Sequence, residues 1–114
     1  MPTHIVLHKK SRVLTLIYAD DHSYELPFEY LRVYSPSAEV RGHGKDQAIL
    51  QYGKRHVDIV TLEAVGHYGL QPIFSDGHRS GIYSWHYLHQ LATEHHPRWQ
   101  QYLQKLTASG KNRG

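Results

Sequence analysis

Two segments of this 114-residue chain repeat the same order of residue types. Residues 18–31 read YADDHSYELPFEYL and residues 74–88 read FSDGHRSGIYSWHYL, with one residue inserted in the second copy. Each copy has an aromatic residue, an Asp-x-His turn, a short apolar strand, and then aromatic residues with Tyr-Leu in a helix. Asp favours turns because its side chain can bond nearby backbone amides. The repetition therefore predicts two hairpin-to-helix units within one fold.

Two explanations of this repetition remain open. In the first, which we favour, both units solve the same folding problem with the same turn chemistry. In the second, which is functional, Asp20, His22, Asp76 and His78 line equivalent ends of the sheet.

The rest of the chain is interpreted from the spacing of its apolar residues, since alternation predicts strands and a spacing of three or four predicts helices. Strands are expected near residues 12–18, 22–26, 57–65 and 69–74, with a further strand in AILQYG at 48–53. Pro27 is expected to open a short helical stretch. Two C-terminal helices are expected near 84–94, capped by Ser84, and near 97–107, begun by Pro97.

The predicted fold is α+β, with an antiparallel β-sheet and two C-terminal helices packed on it. We expect a single small domain over residues 1–108, followed by a disordered tail at 109–114. A chain of this length with 39% hydrophobic residues is large enough to bury one core. The predicted core comprises Leu16, Leu31, Ile59, Leu62, Ile73, Ile82, Trp85 and Leu88.

The absence of cysteine excludes several kinds of site: disulfide bonds, thiolate zinc sites, iron–sulfur ligation and a cysteine nucleophile. No run of apolar residues approaches the roughly 18 that a membrane helix needs. The first residues, MPTHIVLHKKSR, lack the basic-then-apolar order of a signal peptide. A cytoplasmic location without membrane association is therefore expected.

The net charge of +3 raises the question of nucleic-acid binding, which would begin at two small basic clusters, HKKSR (8–12) and GKRH (53–56). The 10 acidic residues are spread among 13 basic ones, and part of the excess lies in the tail. A solvated basic surface explains this pattern better, so nucleic acid is not expected as a partner.

The strings LRVYSPSAEVRGHG (31–44) and VGHYGLQPIFSDGHRSGIYSWHYL (65–88) resemble the gamma-butyrobetaine hydroxylase-like N-terminal domain, the DUF971 family. The resemblance extends from about Thr15 to Leu91. It implies a domain that precedes the catalytic module of gamma-butyrobetaine and trimethyllysine dioxygenases, is attached to some iron–sulfur carrier ATPases, and also occurs alone in bacteria. This chain resembles the stand-alone type, so the dioxygenase catalytic domain and its activity are expected to be absent.

For the dioxygenases, the resemblance also implies a structural zinc site made by three cysteines and one histidine. The cysteine positions correspond here to Ser35, Ser37 and Val40, and only the histidine position, His78, is retained. Serine hydroxyls are poor zinc ligands at neutral pH, and valine is none. We therefore expect no bound metal or other cofactor, and we expect hydrogen bonds from Ser35 and Ser37 to neighbouring amides to hold the loop.

Two sets of polar residues are candidates for binding a protein partner or a small anionic ligand. Arg41 and His43, with the glycines beside them, could form an anion-binding nest, although a surface turn explains the glycines equally well. Asp76, His78 and Tyr83 are expected near one end of the sheet, where they would suit a shallow ligand or partner surface. Core aromatic residues beside a turn are the alternative.

The eleven histidines suggest a metal hypothesis as well. His86 and His89 lie three apart on a predicted helix, and His95 and His96 are adjacent, but the spacing assigns no third ligand. HVD at 56–58 matches a fragment of an iron facial triad, which we interpret as accidental.

Three classes of function remain open from the sequence. The first is a non-catalytic binding or adaptor module of unknown ligand, linked by the resemblance to iron–sulfur or oxygenase systems. The second is a histidine-based metal-binding protein. The third is a small enzyme or a nucleic-acid-binding protein, although the chain shows no phosphate loop, nucleophile elbow or dinucleotide fingerprint.

Overall fold

The computed structural model describes residues 1–37 and 49–114 of the chain. These residues form a single small domain with two three-stranded antiparallel sheets and C-terminal helices. In chain order the elements are β1 (His4–His8), β2 (Val13–Ile17), β3 (Ser23–Pro27), α1 (Phe28–Val33), β4 (Ile59–Val65), β5 (Gly69–Phe74), β6 (Tyr83–Ser84), α2 (Trp85–Thr93) and α3 (His95–Ala108). The predicted α+β fold class is confirmed.

The first sheet has the strand order β1-β2-β3, with each strand antiparallel to its neighbour. Its central strand, β2, carries Leu14 and Leu16, which are fully buried in the main core. The edge strand β1 is largely exposed. The turn between β1 and β2 contains Arg12 at a φ of 55°, a conformation that ordinary side chains adopt only rarely.

The second sheet has the strand order β4-β5-β6, so the single sheet expected from the sequence is in fact two sheets. Its last pair of strands is held unusually close at Gly69, which pairs with Ser84. A Cβ atom on Gly69 would lie 1.9 Å from the carbonyl oxygen of Tyr83. Only glycine allows this approach of one backbone to the other.

The helix starts follow local chemistry that the sequence shows. Pro27 ends β3 and directly precedes α1. The Oγ atom of Ser84 accepts a hydrogen bond of 3.1 Å from the amide of Tyr87, which confirms it as the cap of α2. The last helix begins at His95, two residues earlier than predicted, so that Pro97 lies in its first turn. No helix within 1–37 and 49–114 is long and apolar enough to cross a membrane.

The predicted core is largely confirmed. Leu16, Leu31, Ile59 and Leu88 are buried, and Leu62, Ile73 and Trp85 are partly buried against the same cluster or beside it. Ile82 is the exception, because 44% of its surface is exposed. Its neighbour Tyr83 points into the core, and successive side chains of an extended segment point to opposite sides, so Ile82 faces outward.

The strand predicted over 48–53 is wrong for residues 49–53, and residue 48 lies outside the described residues. The backbone here bonds to α3 and to the tail instead of to another strand. The carbonyl of Gln51 accepts a hydrogen bond of 2.8 Å from the Tyr102 hydroxyl, and the amide of Gly53 donates one of 3.0 Å to the carbonyl of Asn112. Leu50 packs against the small cluster that contains Tyr102.

The tail, residues 109–114, makes specific contacts with the rest of the domain. The carbonyl of Arg113 accepts a hydrogen bond of 2.9 Å from the amide of Arg55. The Arg113 guanidinium lies 2.7 Å from a carboxylate oxygen of Glu29, which is buried in α1. This contact gives a buried carboxylate a charged partner, which stabilises the position of the tail.

Candidate functional site

The two Asp-x-His turns close with the same backbone hydrogen bond. The amide of Tyr18 donates to the carbonyl of His22 at 2.9 Å, and the amide of Phe74 donates to the carbonyl of His78 at 3.0 Å. The residue between Asp and His has a positive φ in both copies, 66° for Asp21 and 85° for Gly77. The repetition in the sequence is therefore a repetition of turn geometry.

The aspartates of the two turns also have the same role. Asp20 Oδ1 accepts a hydrogen bond from the amide of His22 at 3.1 Å, and Asp76 Oδ1 accepts one from the amide of His78 at 3.1 Å. This side-chain-to-backbone bond is the reason that Asp is favoured at this position of a turn. Shared folding chemistry thus explains the Asp of both copies.

The surroundings of the two turns differ. The His22 side chain is 70% exposed, bonds to Asp20 and lies beside the ring of Tyr24. His78 is buried, with an exposed fraction of 6%. The two turns belong to different sheets, and only the second turn has an enclosed polar environment. The functional explanation of the repetition therefore applies to the second copy, with Asp76 and His78.

Two serine hydroxyls contact the buried imidazole of His78, and a third contacts one of these two hydroxyls; we call Ser35, Ser37, His78 and Ser80 the serine–histidine cluster. The Nε2 atom of His78 lies 3.0 Å from Ser35 Oγ and 3.2 Å from Ser37 Oγ. Ser35 Oγ lies 3.1 Å from Ser80 Oγ and also accepts a bond of 3.3 Å from the amide of Ser37. The distances to the imidazole are those of ordinary hydrogen bonds, and the other two lie just beyond the usual range.

The cluster joins two segments that are far apart in sequence. Ser35 follows α1 directly, and its amide donates a hydrogen bond of 3.3 Å to the carbonyl of Arg32. His78 and Ser80 lie in the β5–β6 segment, residues 75–82. The backbones also approach each other, because a Cβ atom on Gly81 would lie 3.4 Å from the amide nitrogen of Ser37. The cluster therefore fixes the β5–β6 segment against the end of α1.

The same cluster occupies the place where the resemblance implies zinc ligands. Ser35, Ser37 and His78 come together as that correspondence requires, whereas Val40 lies outside the described residues. The two serines bond to the imidazole, and among the described residues one of the expected bonds to a neighbouring amide is found, from the Ser37 amide to Ser35 Oγ. In the part of the chain that the structure describes, no three His, Asp or Glu residues are placed to hold a metal ion.

Asp76 links the cluster to two cations that sequence reasoning missed. Asp76 Oδ2 accepts hydrogen bonds from Lys54 Nζ at 2.7 Å and from Arg32 Nε at 2.9 Å. Burial by itself would raise the pKa of Asp76, but the bonds from Lys54, the His78 amide and Arg32 outweigh it and lower the pKa to about 2. Asp76 is therefore ionised at neutral pH and is already paired.

Arg32 is an unusual member of this network because its side chain is almost fully buried. Its Nη1 atom has no hydrogen-bond partner among the described residues. Neither Arg32, Lys54 nor Ser80 follows an apolar period or a known ligand spacing, so the sequence carries no signal for their roles except that all three lie near the recognised strings.

The other predicted site residues are Tyr83, Arg41 and His43. Tyr83 is fully buried, and its hydroxyl donates a hydrogen bond to the carbonyl of Leu31, while burial raises the pKa of that hydroxyl. It therefore holds α1 against β6 and does not line a surface. This agrees with the alternative that the aromatic residues beside the turn belong to the core. Arg41 and His43 lie outside the described residues.

The remaining histidine candidates for metal binding do not lie together at one site. His86 and His89 are exposed on α2, and His96 is exposed on α3. His95 stacks on Tyr30 with ring centroids 4.4 Å apart, and burial together with the nearby His96 lowers its pKa.

The two polar residues of the HVD fragment (56–58) do not come together either. Asp58 Oδ1 lies 3.6 Å from Lys9 Nζ and accepts a hydrogen bond of 2.9 Å from the amide of Ile59. His56 is exposed, and no contact between it and Asp58 is present. The carboxylate of Asp58 is used in a local turn and an ion pair.

Comparison with known proteins gives a consistent set of relatives. A family model described as gamma-butyrobetaine hydroxylase-like, N-terminal, matches residues 5–89. A protein solved by NMR in solution shares 51% identity over 99% of this chain and 89% of its own, with a TM-score of 0.86. A second NMR structure shares 40% identity over 99% of this chain and 86% of its own, with a TM-score of 0.81.

A crystal structure from Acidithiobacillus ferrooxidans ATCC 23270 is also similar. It is a protein with unknown function that belongs to the DUF971 family, and it shares 41% identity with this chain. The match covers 80% of this chain and 91% of that one, with a TM-score of 0.62. No curated protein matches the chain.

Proposed function

Since the chain belongs to the gamma-butyrobetaine hydroxylase-like N-terminal (DUF971) family, we propose that it is a non-catalytic binding module for a protein partner. The partner contacts the surface beside the serine–histidine cluster, which we call the binding face and define by Ser37, Arg79 and Ile82. The resemblance implies that this domain occurs next to dioxygenase catalytic modules and iron–sulfur carrier ATPases. We therefore expect the partner to belong to an iron–sulfur or oxygenase system. A cytoplasmic location remains part of this prediction.

The observation that carries the proposal is the rigid support of the β5–β6 segment. The buried imidazole of His78 is held by Ser35 and Ser37, and the ion-paired Asp76 holds the turn just before it. Loops that a rigid scaffold positions commonly carry binding functions. On this fixed segment Arg79 and Ile82 remain exposed. A supported loop that presents a cation and a large apolar side chain is suited to a partner.

The enzyme alternative has less support from the same geometry. Ser35 Oγ and His78 Nε2 lie at a distance of 3.0 Å, which is within the range of a nucleophile and its base. Ser35 is nevertheless fully buried, and its hydroxyl also bonds to Ser80 and to the amide of Ser37. A nucleophile must reach a substrate, whereas this hydroxyl is enclosed by partners that fix its position.

Site-specific photo-crosslinking tests the proposal. A benzophenone amino acid replaces Ile82 in one version of the chain and Val60 in a matched control, since Val60 is also a large exposed apolar residue but lies on β4. Both versions are expressed in the organism that carries the gene and irradiated. We expect one discrete crosslinked protein, identified by mass spectrometry, from position 82 and not from position 60.

A second variant connects the crosslink to the cluster. Ser35→Ala removes the hydroxyl that bonds to His78 and Ser80, and we expect a lower crosslink yield from position 82 while the circular dichroism spectrum stays that of the folded protein. Equal yields from positions 82 and 60, or no crosslinked protein from position 82, would contradict the proposed function.

A further inference from the structure

The two basic clusters of the sequence, residues 8–12 and 53–56, lie at the same end of the folded molecule. Lys9 Nζ donates a hydrogen bond to the carbonyl of Ile59 and lies 3.6 Å from Asp58 Oδ1. The turn between β1 and β2 therefore contacts the start of β4, directly after the second cluster. Residues 13–52 separate the clusters in sequence, so their meeting is a consequence of the fold.

The tail and α1 complete this end. The carbonyl of Arg113 bonds to the amide of Arg55, and the Arg113 guanidinium pairs with Glu29. The carbonyl of Arg12 accepts a hydrogen bond of 2.9 Å from the amide of Phe28, the neighbour of Glu29 in α1. We call the exposed residues Lys10, Arg12 and Arg55 the basic end.

The carboxylates at the basic end already have cationic partners. Asp58 pairs with Lys9, Glu29 with Arg113, and Asp76 with both Arg32 and Lys54. Lys10, Arg12 and Arg55 are exposed, and none of them has an ion-pair partner within residues 1–37 and 49–114. The positive charge of these three side chains is therefore available to a ligand.

The acidic residues that lack an ion pair among the described residues lie outside the basic end. Asp21 is in the turn between β2 and β3, which is at the opposite end of β2 from Arg12. Glu63 lies toward the far end of β4 from Arg55. Glu25, also exposed and without an ion pair among the described residues, lies in the middle of β3, so these three carboxylates lie outside the basic end. A surface on which the unpaired charges are cationic orients and attracts a partner of opposite charge.

We propose that the basic end binds an acidic segment of a partner protein. For the identity of that partner the inference rests on the proposed function, because the basic end is continuous with the binding face. The connection is Lys54, which precedes Arg55 and pairs with Asp76, two residues before His78. A partner seated on Ile82 and Arg79 would therefore extend its acidic segment over Lys54 toward Arg55.

The distribution of charge favours an acidic protein segment over nucleic acid. A nucleic acid presents a continuous series of phosphates and needs several cationic contacts in a row. At the basic end, the carboxylates of Asp58 and Asp76 are interleaved with the cations and would oppose such a series. A protein segment can place its carboxylates opposite the unpaired cations and avoid the aspartates.

Direct binding of a synthetic probe tests this inference. The probe is a fluorescein-labelled peptide of alternating glutamate and serine, and the control peptide has glutamine in place of glutamate. Fluorescence anisotropy measures binding to the full chain, with single-stranded oligothymidylate as the nucleic-acid arm. We expect the glutamate peptide alone to bind, and its affinity to fall when the salt concentration rises from about 50 mM to about 200 mM.

Charge reversal locates the binding surface. Lys10→Glu and Arg55→Glu are each expected to weaken binding of the glutamate peptide by about two- to fivefold, the range for an exposed ion pair. Lys105→Glu is the matched control, because Lys105 is also exposed and without an ion-pair partner among the described residues, but it lies on α3. Thermal unfolding establishes that all three variants are folded.

Three results would overturn the inference: no binding of the glutamate peptide, equal weakening by Lys105→Glu, or tighter binding of oligothymidylate than of the peptide. The probe needs no natural partner, so these results leave a crosslink at position 82 standing. Conversely, peptide binding without a crosslink at position 82 overturns only the proposed function.

Discussion

Tyr30 and Tyr87 each donate a hydrogen bond to a backbone carbonyl near the C-terminal end of the helix that carries the other. The Tyr30 hydroxyl bonds to the carbonyl of Leu91 at 2.7 Å, and the Tyr87 hydroxyl bonds to the carbonyl of Tyr34 at 2.6 Å. Each tyrosine is the third residue of its helix. The repeated units of the sequence are therefore joined by a reciprocal pair of bonds, each of which satisfies a carbonyl that a helix end leaves without a partner.

This exchange predicts a loss of stability on removal of either hydroxyl. Tyr30→Phe is expected to lower the free energy of unfolding by about 1–2 kcal/mol, because the carbonyl of Leu91 would be buried without its donor. Urea denaturation followed by circular dichroism measures the change. Tyr68→Phe is the control, with a change within about 0.5 kcal/mol expected because Tyr68 is 73% exposed. Equal stability of Tyr30→Phe and the unmodified protein would contradict this account.

The Asp76 network predicts a dependence of stability on pH. The pKa of Asp76 is lowered from 3.8 to about 2 in the folded protein, so its ionised form stabilises the fold above pH 3.8. This contribution is lost as the pH falls from about 4 toward about 2. Asp76→Asn keeps the oxygen that accepts from the His78 amide but removes the charge, and it should lower stability at neutral pH by about 1–3 kcal/mol.

The measurement is the free energy of unfolding of this variant between neutral pH and pH 2. We expect its acid decrease to be shallower than that of the unmodified protein. Asp20→Asn provides the matched control, since Asp20 accepts the same turn bond but is exposed and has no arginine or lysine partner among residues 1–37 and 49–114. The assignment fails if both variants have the same pH profile.

The serine–histidine cluster predicts a clear order of effects for its serines. Ser35→Ala should cost about 1–2 kcal/mol of stability, because His78 and Ser80 both lose a buried partner. Ser37→Ala should cost less, since water can replace the hydroxyl of this partly exposed residue. Ser109→Ala, at the exposed end of α3, is the control. A larger effect of Ser37→Ala than of Ser35→Ala would show that the cluster is described incorrectly.

The replacement of cysteines by serines predicts that folding is independent of metal. Ser35 and Ser37 bond to His78 Nε2 as neutral hydroxyls, which are poor zinc ligands. Protein purified without a histidine tag is expected to contain no stoichiometric zinc, and EDTA should leave its unfolding midpoint unchanged. Elemental analysis and thermal unfolding provide the two measurements. About one zinc per chain, or a large decrease in the unfolding midpoint with EDTA, would contradict this prediction and indicate that the cluster binds a metal ion.

The ion pair between Arg113 and Glu29 predicts that Arg113 contributes to stability. Arg113→Ala would leave the buried carboxylate of Glu29 without its cation, so we expect a loss of about 2–4 kcal/mol in chemical denaturation. Lys111→Ala is the matched control from the same tail, because the Lys111 ammonium lies over the exposed ring of Tyr52, 4.8 Å away, and has no ion-pair partner among the described residues. Its expected cost is below about 1 kcal/mol. Similar small losses for both variants would indicate that the tail is not held by the ion pair.

The sequence by itself determined the elements that depend on neighbouring residues. β5 spans Gly69–Phe74 as predicted, because its alternation and the flanking turns are local signals. Ser84 caps α2 because its hydroxyl reaches an amide only three residues away. The two Asp-x-His turns follow from the same kind of bond over two residues. The residues that carry the family resemblance were also visible, since they are read directly from the order of the chain.

Only the tertiary structure decided which distant residues meet. Ser35 and His78 are 43 positions apart, and Arg32 and Asp76 are 44 apart, so no local period records their contact. The exposure of Ile82 also depended on the packing of its neighbour Tyr83, and a local apolar pattern misplaced it. Local hydrogen bonds and periodicity act over a few residues, whereas burial and ion pairing are set by how the complete chain packs. For that reason the elements of this fold could be predicted, and the polar network that supports its binding face could not.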